Sequence, residues 1–365
     1  MSRTVLFTGF PGFLGTELVP RVLRRDPSAT VVCLVQGAFL DLARTRVDEL
    51  VAVDASLADR IELVVGDITV RDLGLGDRYD ELARRTTEVF HLAAVYDLAV
   101  ARDLAMRVNV DGTQHVVDFC RACDGLERLQ YVSTCYVSGR FPGIYRETDL
   151  VKPGQVFNNF YEETKHLAEV IVAQAAADGL PVTTYRPSVV GGDSLTGATQ
   201  KYDGPYFLLR LLLKQPEYAI MPTIGDPDAY RFNVVPRDFV VDSLDALSAR
   251  ADTLGGTYAL ADPEPYTIRQ LIELSIDATG KRATTLPLPR KLVKASLDAI
   301  PPLSRGLGLP AAAVDYFSHP THYTTDLADA LLAEEGIARP DRETWFRAMA
   351  AYVRANPDVT SAAMV

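Results

Sequence analysis

Basic charge is in short supply in this chain. Against 48 acidic residues stand 37 lysines and arginines, a formal net charge of −11, and such a field argues against non-specific nucleic-acid binding. Long apolar runs are also missing: no stretch reaches the ~18 residues needed to span a bilayer. Met1-Ser2-Arg3-Thr4-Val5-Leu6-Phe7 runs directly into an apolar segment, leaving no room for a signal peptide, and the expectation is a cytoplasmic protein. Cysteine is sparse. Cys33, Cys120, Cys123 and Cys135 do not make a secreted disulfide framework in a chain of this length. Cys120 and Cys123 form one C-x-x-C without a second ligand pair, so packing explains them better than zinc or redox chemistry. Pro320 separates His319 from His322 and breaks any helix that would present both to one ion, so no metal is expected. Internal repeats, low-complexity tracts and long flexible linkers are absent as well.

What the chain has is alternation. Thr4–Thr8, Thr30–Val35, Ile61–Val65, Glu88–Leu92, Leu129–Ser133 and Val182–Tyr185 are short apolar, largely β-branched runs, as strands buried on both faces should be. Helical segments fall between them, notably Leu104–Cys123 and Tyr161–Ala177. This rhythm predicts an α/β fold: a doubly wound parallel Rossmann sheet with right-handed crossovers. After Pro187 the pattern changes to glycine-bearing loops, proline-punctuated extended pieces and helices at Tyr206–Lys214, Asp238–Arg250 and Thr267–Thr279. Residues 1–190, with 233–260 returning to them, are expected to form the dinucleotide-binding domain. Residues 191–232 and 261–365 are expected to form a smaller, mainly helical substrate-binding lid.

Thr8-Gly9-Phe10-Pro11-Gly12-Phe13-Leu14-Gly15 follows the first strand and opens a helix, the context a phosphate-binding turn requires. Gly9 and Gly12 remove side chains where the backbone must turn tightly and approach a pyrophosphate. Gly15 lets the helix sit close to the sheet, and the helix amino terminus favours the anion. The second strand ends Leu34-Val35-Gln36-Gly37, without the acid that holds ribose hydroxyls in NAD-selective sites. Gln36 can hydrogen-bond a ribose or phosphate oxygen, and Arg44 or Arg46 on the next helix can swing towards a 2′-phosphate. The balance favours NADP, with NAD the alternative. Asp67 and the adjoining Ile68, after the third strand, are positioned to contact adenine.

Two further signals concern chemistry. Tyr161 and Lys165 lie four residues apart on one helix face, where an ammonium group would lower the phenol pKa from near ~10 and make it a better acid. Thr134, at the carboxyl end of a parallel strand, faces the crevice where ligands bind and can orient a substrate carbonyl. Ser133 can help or can cap the turn. Asn109 reads as a buried helix residue that bonds backbone or holds a water.

The glycine turn, His91-Leu92-Ala93-Ala94, the Asn109 helix, Ser133-Thr134, Tyr161/Lys165 and Arg186-Pro187-Ser188 occur in the order of the extended short-chain dehydrogenase/reductase family, which the first 250 or so residues resemble. Gly12-Phe13-Leu14-Gly15, Val132-Ser133-Thr134 with Tyr136-Val137, and Gly192-Asp193-Ser194-x-Thr196-Gly197 look like its thioester-reductase and fatty-acyl-CoA-reductase branch. The resemblance implies Thr134, Tyr161 and Lys165 as catalytic triad, with Ala93, Ala94 and Pro187, Ser188 and Val189 as a wall around the nicotinamide. That branch often has arginine where this chain has Gln36.

The expected activity is therefore NADP-dependent reduction of a carbonyl or acyl thioester on a largely apolar small molecule. Phe207, Leu208, Leu211, Tyr230 and Phe232 are candidates to line its pocket, although core packing explains them equally well. The runner-up is a nucleotide-sugar epimerase or dehydratase on the same fold, and behind it a non-enzymatic NAD(P) sensor. A homodimer is compatible with the sequence, which does not fix oligomeric state.

Overall fold

A computed structural model of the protein describes residues 3–224, 226–289, 293, 295 and 311–359. Among them, the β-branched runs pair into one sheet of seven strands: β1 (Thr4–Thr8), β2 (Thr30–Val35), β3 (Ile61–Val65), β4 (Thr86–His91), β5 (Arg128–Val132), β6 (Val182–Pro187) and β7 (Thr257–Leu260). Their order is β7-β6-β5-β4-β1-β2-β3, and every ladder is parallel. Parallel neighbours need crossovers, and helices packed on both faces supply them. These are α1 (Gly15–Arg25), α2 (Leu40–Val53), α3 (Tyr79–Arg85), α4 (Arg102–Ala105), α5 (Gly112–Ala122) and α6 (Phe160–Ala177), followed further along by α7 (Tyr206–Leu213), α8 (Arg237–Ala249), α9 (Ile268–Thr279), α10 (Asp326–Glu334) and α11 (Arg342–Ala355). The α/β expectation holds. No described helix is long and apolar enough to cross a membrane.

Each face has its own core. Leu18, Val19, Val22 and Leu23 of α1 pack with Phe239, Val240 and Leu244 of α8 and Leu332 of α10. On the other face Val116, Val117 and Phe119 of α5 meet Ala168, Val172 and Ala175 of α6. Leu18 and Leu23 are fully buried, and truncating either to alanine would cost ~2–5 kcal/mol. A third cluster joins α7, α9 and α11 through Leu209, Leu271, Trp345, Phe346 and Met349.

Element ends differ from expectation in instructive places. β4 starts at Thr86 and stops at His91, and β6 continues through Arg186 to Pro187. The helix expected over Leu104–Cys123 starts at Arg102 and is interrupted by a π turn, Met106–Asp111, before α5. A π turn takes an extra residue into one turn, which a 3.6-residue periodicity cannot show. The strand order reverses at β1, which lies between β2 and β4. In open α/β sheets the ligand crevice opens beyond the carboxyl ends of the strands at such a reversal.

Candidate active site

A cavity of about 620 Å³ opens at that reversal. Its floor is the glycine turn. Gly9 has φ +95°, a conformation that L side chains rarely adopt, and a Cβ there would meet the Ala93 amide and Leu92 Cβ at 2.9 Å. A Cβ on Gly12 or Gly15 would strike the Gly9 carbonyl at 2.7 or 2.5 Å. Gly15 therefore owes its identity to the turn itself rather than to the sheet. Thr8 Oγ1 lies 2.8 Å from His91 Nδ1 and accepts from the Ala93 amide at 3.3 Å. Burial, aided by the Lys165 charge, pushes the His91 imidazole down to about 3. The neutral ring thus ties the end of β1 to the end of β4. Phe13 is covered by the Arg237 guanidinium at 5.2 Å, which also approaches Glu17 of α1 at 3.4 Å.

Thr8 through Gly15, Gln36, Asp67, Ile68, Ala93, Ala94, Ser133, Thr134, Tyr161, Lys165, Pro187, Ser188 and Val189 all line this one cavity. Arg44 does not, nor does Asn109, which is the buried, backbone-bonding helix residue expected. Arg44 is exposed on α2 and paired with Asp41 at 3.1 Å, outside the cavity lining. Asn109 is buried behind the wall, where Oδ1 accepts from the Val95 amide at 2.9 Å and Nδ2 donates to Thr164 Oγ1 at 3.0 Å. It fastens the segment after β4 to α6.

α6 starts where it does because Asn159 Oδ1 accepts from the Glu162 amide at 3.0 Å, a side-chain cap. That cap puts Tyr161 in the first turn and Lys165 one turn on. Tyr161 meets the side chain of Thr134, whose Oγ1 donates to the Pro187 carbonyl at 3.2 Å. Lys165 is directed elsewhere: Nζ donates to the Val132 carbonyl at 2.9 Å and to the Tyr131 hydroxyl at 3.2 Å. The expected lowering of the phenol pKa is accordingly not found. Burial raises Tyr161 above its ordinary value, and the neighbouring Thr134 hydroxyl, were it to turn from the Pro187 carbonyl to the phenol, would only partly oppose it. Burial also pushes Lys165 down to about 8, against the upward pull of Glu169. Ser133 is not free for substrate either. Its hydroxyl donates to Glu169, which forms a buried pair with Arg186 (Nε to Oε1, 2.9 Å).

The proposed apolar pocket residues lie elsewhere. Leu208 and Phe232 belong to the third hydrophobic cluster, with Leu211 and Tyr230 packed against it, and Phe207 is buried; none of the five lines the cavity. The wall beyond Tyr161 is instead made by Tyr96, Tyr136, Thr199, Gln200, Lys201, Asp203 and Tyr316. Sequence reasoning assigns none of these a contact. Tyr96 carried a usable signal, since it follows Ala93-Ala94-Val95 just beyond a strand end at the crevice. Lys201, Asp203 and Tyr316 carried none. The Gly192–Gly197 motif explains how Lys201 and Asp203 arrive: Asp193 Oδ1 accepts from the Leu195 and Thr196 amides, while Trp345 Nε1 donates to the Gly192 carbonyl at 3.0 Å. This closed turn, held by α11, directs the following residues to the cavity.

A dinucleotide fits on two observations. The floor has no room for side chains, and Ser188 Oγ is buried in the lining without a hydrogen-bond partner among the described residues. Residues 7–244 match the model of the male sterility protein family of NAD-binding domains. A glycine betaine reductase of Emericella nidulans is 29% identical over 290 residues, covering 74% of this chain but 22% of that protein. The chain spans about a quarter or less of the first curated relatives it matches. Among solved structures, the terminal R domain from the myxalamid PKS-NRPS pathway superposes with a TM-score of 0.78 at 25% identity, covering 97% of this chain and 90% of that one. A UDP-glucuronic acid 4-epimerase from Bacillus cereus, in complex with NAD, shares the fold with a TM-score of 0.67 at 18% identity, over 98% and 99% of the two chains. The chain belongs to the male sterility protein family, within the NAD(P)-dependent extended short-chain dehydrogenase/reductases.

Proposed function

We propose that this chain reduces a carbonyl or acyl thioester with NADP as its cofactor, NAD remaining usable, and with Thr134, Tyr161 and Lys165 as the working side chains. The observation that carries the proposal is the meeting of Tyr161 with Thr134 in the same cavity as the glycine turn and Lys165. The turn from Thr8 to Gly15 would hold the pyrophosphate, Gln36 the ribose, and Asp67 with Ile68 the adenine. Ala93, Ala94, Pro187, Ser188 and Val189 would wall the nicotinamide, with the unpartnered Ser188 hydroxyl able to bond its carboxamide. The absence of an acid at the end of β2 leaves nothing there to repel a 2′-phosphate.

When bound, the reduced nicotinamide supplies hydride to the carbonyl carbon. Tyr161 gives its proton to the developing alkoxide, which suits a phenol held protonated by burial. Thr134 orients the oxygen, and Lys165, bonded to the Val132 carbonyl and the Tyr131 hydroxyl at the edge of the cavity, would hold positive charge beside the ribose. Reduction of a ketone or aldehyde ends at the alcohol. A thioester would release its thiol and give an aldehyde, open to a second round. We assign residues 1–190 and 233–260 to cofactor binding, and 191–232 and 261–365 to the substrate side.

The test is oxidation of NADPH and NADH by purified protein offered acyl-CoAs, aldehydes and ketones, with Tyr161→Phe in parallel. Absorbance loss in the wild type that falls ~10²–10⁴-fold in the variant is expected. No oxidation with any class would overturn the proposal.

A further inference from the structure

The wall beyond Tyr161 is aromatic and charged rather than aliphatic, and its parts touch. Tyr96 stands edge-on to Tyr161, ring centroids 5.1 Å apart, and Tyr136 is edge-on to Tyr316 at 4.8 Å. Tyr96 and Tyr136 are both close enough to Tyr316 to add to the effect of burial and Glu162 in raising its phenol pKa. Lys201 projects into this group. Lys201 Nζ lies 4.7 Å from the Tyr96 ring centroid and 3.7 Å from the Asp203 carboxylate, a distance at which the pair is not tightly closed.

We propose that this end of the cavity reads a cationic group on the substrate: an alkylammonium a few bonds from the reacting carbonyl, held by Asp203 and faced by Tyr96, Tyr136 and Tyr316. The inference deepens the proposed reductase and rests on it. The Lys201 ammonium occupies the place the substrate cation would take, over an aromatic face and beside a carboxylate, and its long side chain can swing out to solvent. Several aromatic faces with one acid are the physical recipe for a desolvated ammonium, quaternary ones included. An aliphatic acyl chain would gain nothing from the carboxylate and would have to bury it. Burial has already raised Asp203 to about 6, with Lys201 only partly opposing. That is the mark of a carboxylate whose present partner compensates it incompletely.

The experiment compares kcat/KM, with saturating NADPH, for trimethylammonium aldehydes of two to four carbons, their tert-butyl isosteres and carboxylate-bearing aldehydes of matched length. The wild type should favour the cation over its isostere by about tenfold or more. Asp203→Asn should bring that ratio towards one, Asp203→Glu should retain it, and Lys201→Met should enlarge it. A preference for the neutral or anionic aldehyde, or one that survives Asp203→Asn, would overturn the inference. If no aldehyde is reduced, the reductase reading fails first, and calorimetric titration of choline against 3,3-dimethylbutan-1-ol on the cofactor-loaded protein decides the site on its own. Choline binding that weakens in Asp203→Asn supports the site; equal binding of the two alcohols, or no binding of choline, refutes it.

Discussion

Lys165 is 3% exposed, and its burial sets a measurable opposition between catalysis and stability. Its pKa falls from 10.5 to about 8 on folding, which at 1.36 kcal/mol per unit is roughly 3 kcal/mol. The sign follows from proton linkage. The unfolded chain holds this proton more tightly, so it binds more protons than the native state between about pH 8 and 10.5, and native stability rises with pH across that window. Below pH 8 the full penalty of a buried ammonium is present, offset in part by the bonds to the Val132 carbonyl and the Tyr131 hydroxyl, worth ~1 kcal/mol each. Lys165→Met removes the titration. Urea unfolding of both proteins at pH 7, 8, 9 and 10, without cofactor, should show the wild type gaining on the variant by up to ~1.4 kcal/mol per pH unit above pH 8. The variant should meanwhile lose ~10²–10⁴-fold in kcat. Parallel stability curves from pH 7 to 10 would refute the reasoning, because the amine would then be no harder to protonate in the fold than out of it.

The same amine predicts a pH limb: kcat/KM for reduction should fall above about pH 8 as Lys165 deprotonates, and Tyr161, raised by burial, should add no limb of its own below pH 10. Gly9→Ala should lower the melting temperature and raise the KM for NADPH together, since φ +95° and contacts at 2.9 Å resist the new Cβ; an unchanged KM would count against the turn as the cofactor floor. Ser133→Ala should cost ~1–3 kcal/mol of stability by leaving Glu169 Oε2 without its hydroxyl partner while Oε1 keeps Arg186, whereas Thr134→Val should act mainly on kcat; denaturation and steady-state kinetics on both variants separate the two. Gln36→Arg should shift the NADPH-to-NADH ratio of kcat/KM upward about tenfold or more by giving a 2′-phosphate a fixed guanidinium, and no shift would mean that β2 does not end at the ribose.

The sheet was readable because its information is local. A strand buried on both faces needs apolar β-branched residues, and a turn that meets its own Gly9 carbonyl needs glycine at 12 and 15, so composition and spacing alone report them. Tyr161 and Lys165 were readable as a pair for the same reason: one helix, one turn apart. Where their polar atoms go is not local. Lys165 reaches the last residue of β5 and the tyrosine before it, Ser133 reaches α6, and Arg44 closes on Asp41 within its own helix. Periodicity fixes the face of an element and leaves the partner on the neighbouring element open. The substrate wall lies furthest from sequence logic, because Tyr96, Lys201 and Tyr316 come from segments more than a hundred residues apart.

How those segments are held bears on what the wall can select. Tyr206 Oη donates to the Gly197 carbonyl at 2.7 Å, Tyr352 Oη to the Thr199 carbonyl at 3.3 Å, and Tyr202 Oη to the Asn356 carbonyl at 2.6 Å. A Cβ on Gly197 would lie 2.4 Å from the Ala348 carbonyl oxygen. The backbone around Lys201 and Asp203 is thus pinned to α7 through Tyr206, to α11 through Tyr352 and to the end of α11 through Asn356, while the Lys201 ammonium stands over the Tyr96 ring on its own four-carbon stem. A rigid backbone carrying one movable cation discriminates by exchange of charge rather than by reshaping of the wall. Changing the charge at 201 or 203 should therefore alter which substrates are accepted, whereas loosening α11, as Trp345→Ala would by leaving the Gly192 carbonyl only the Arg237 amide, should raise KM for all of them alike.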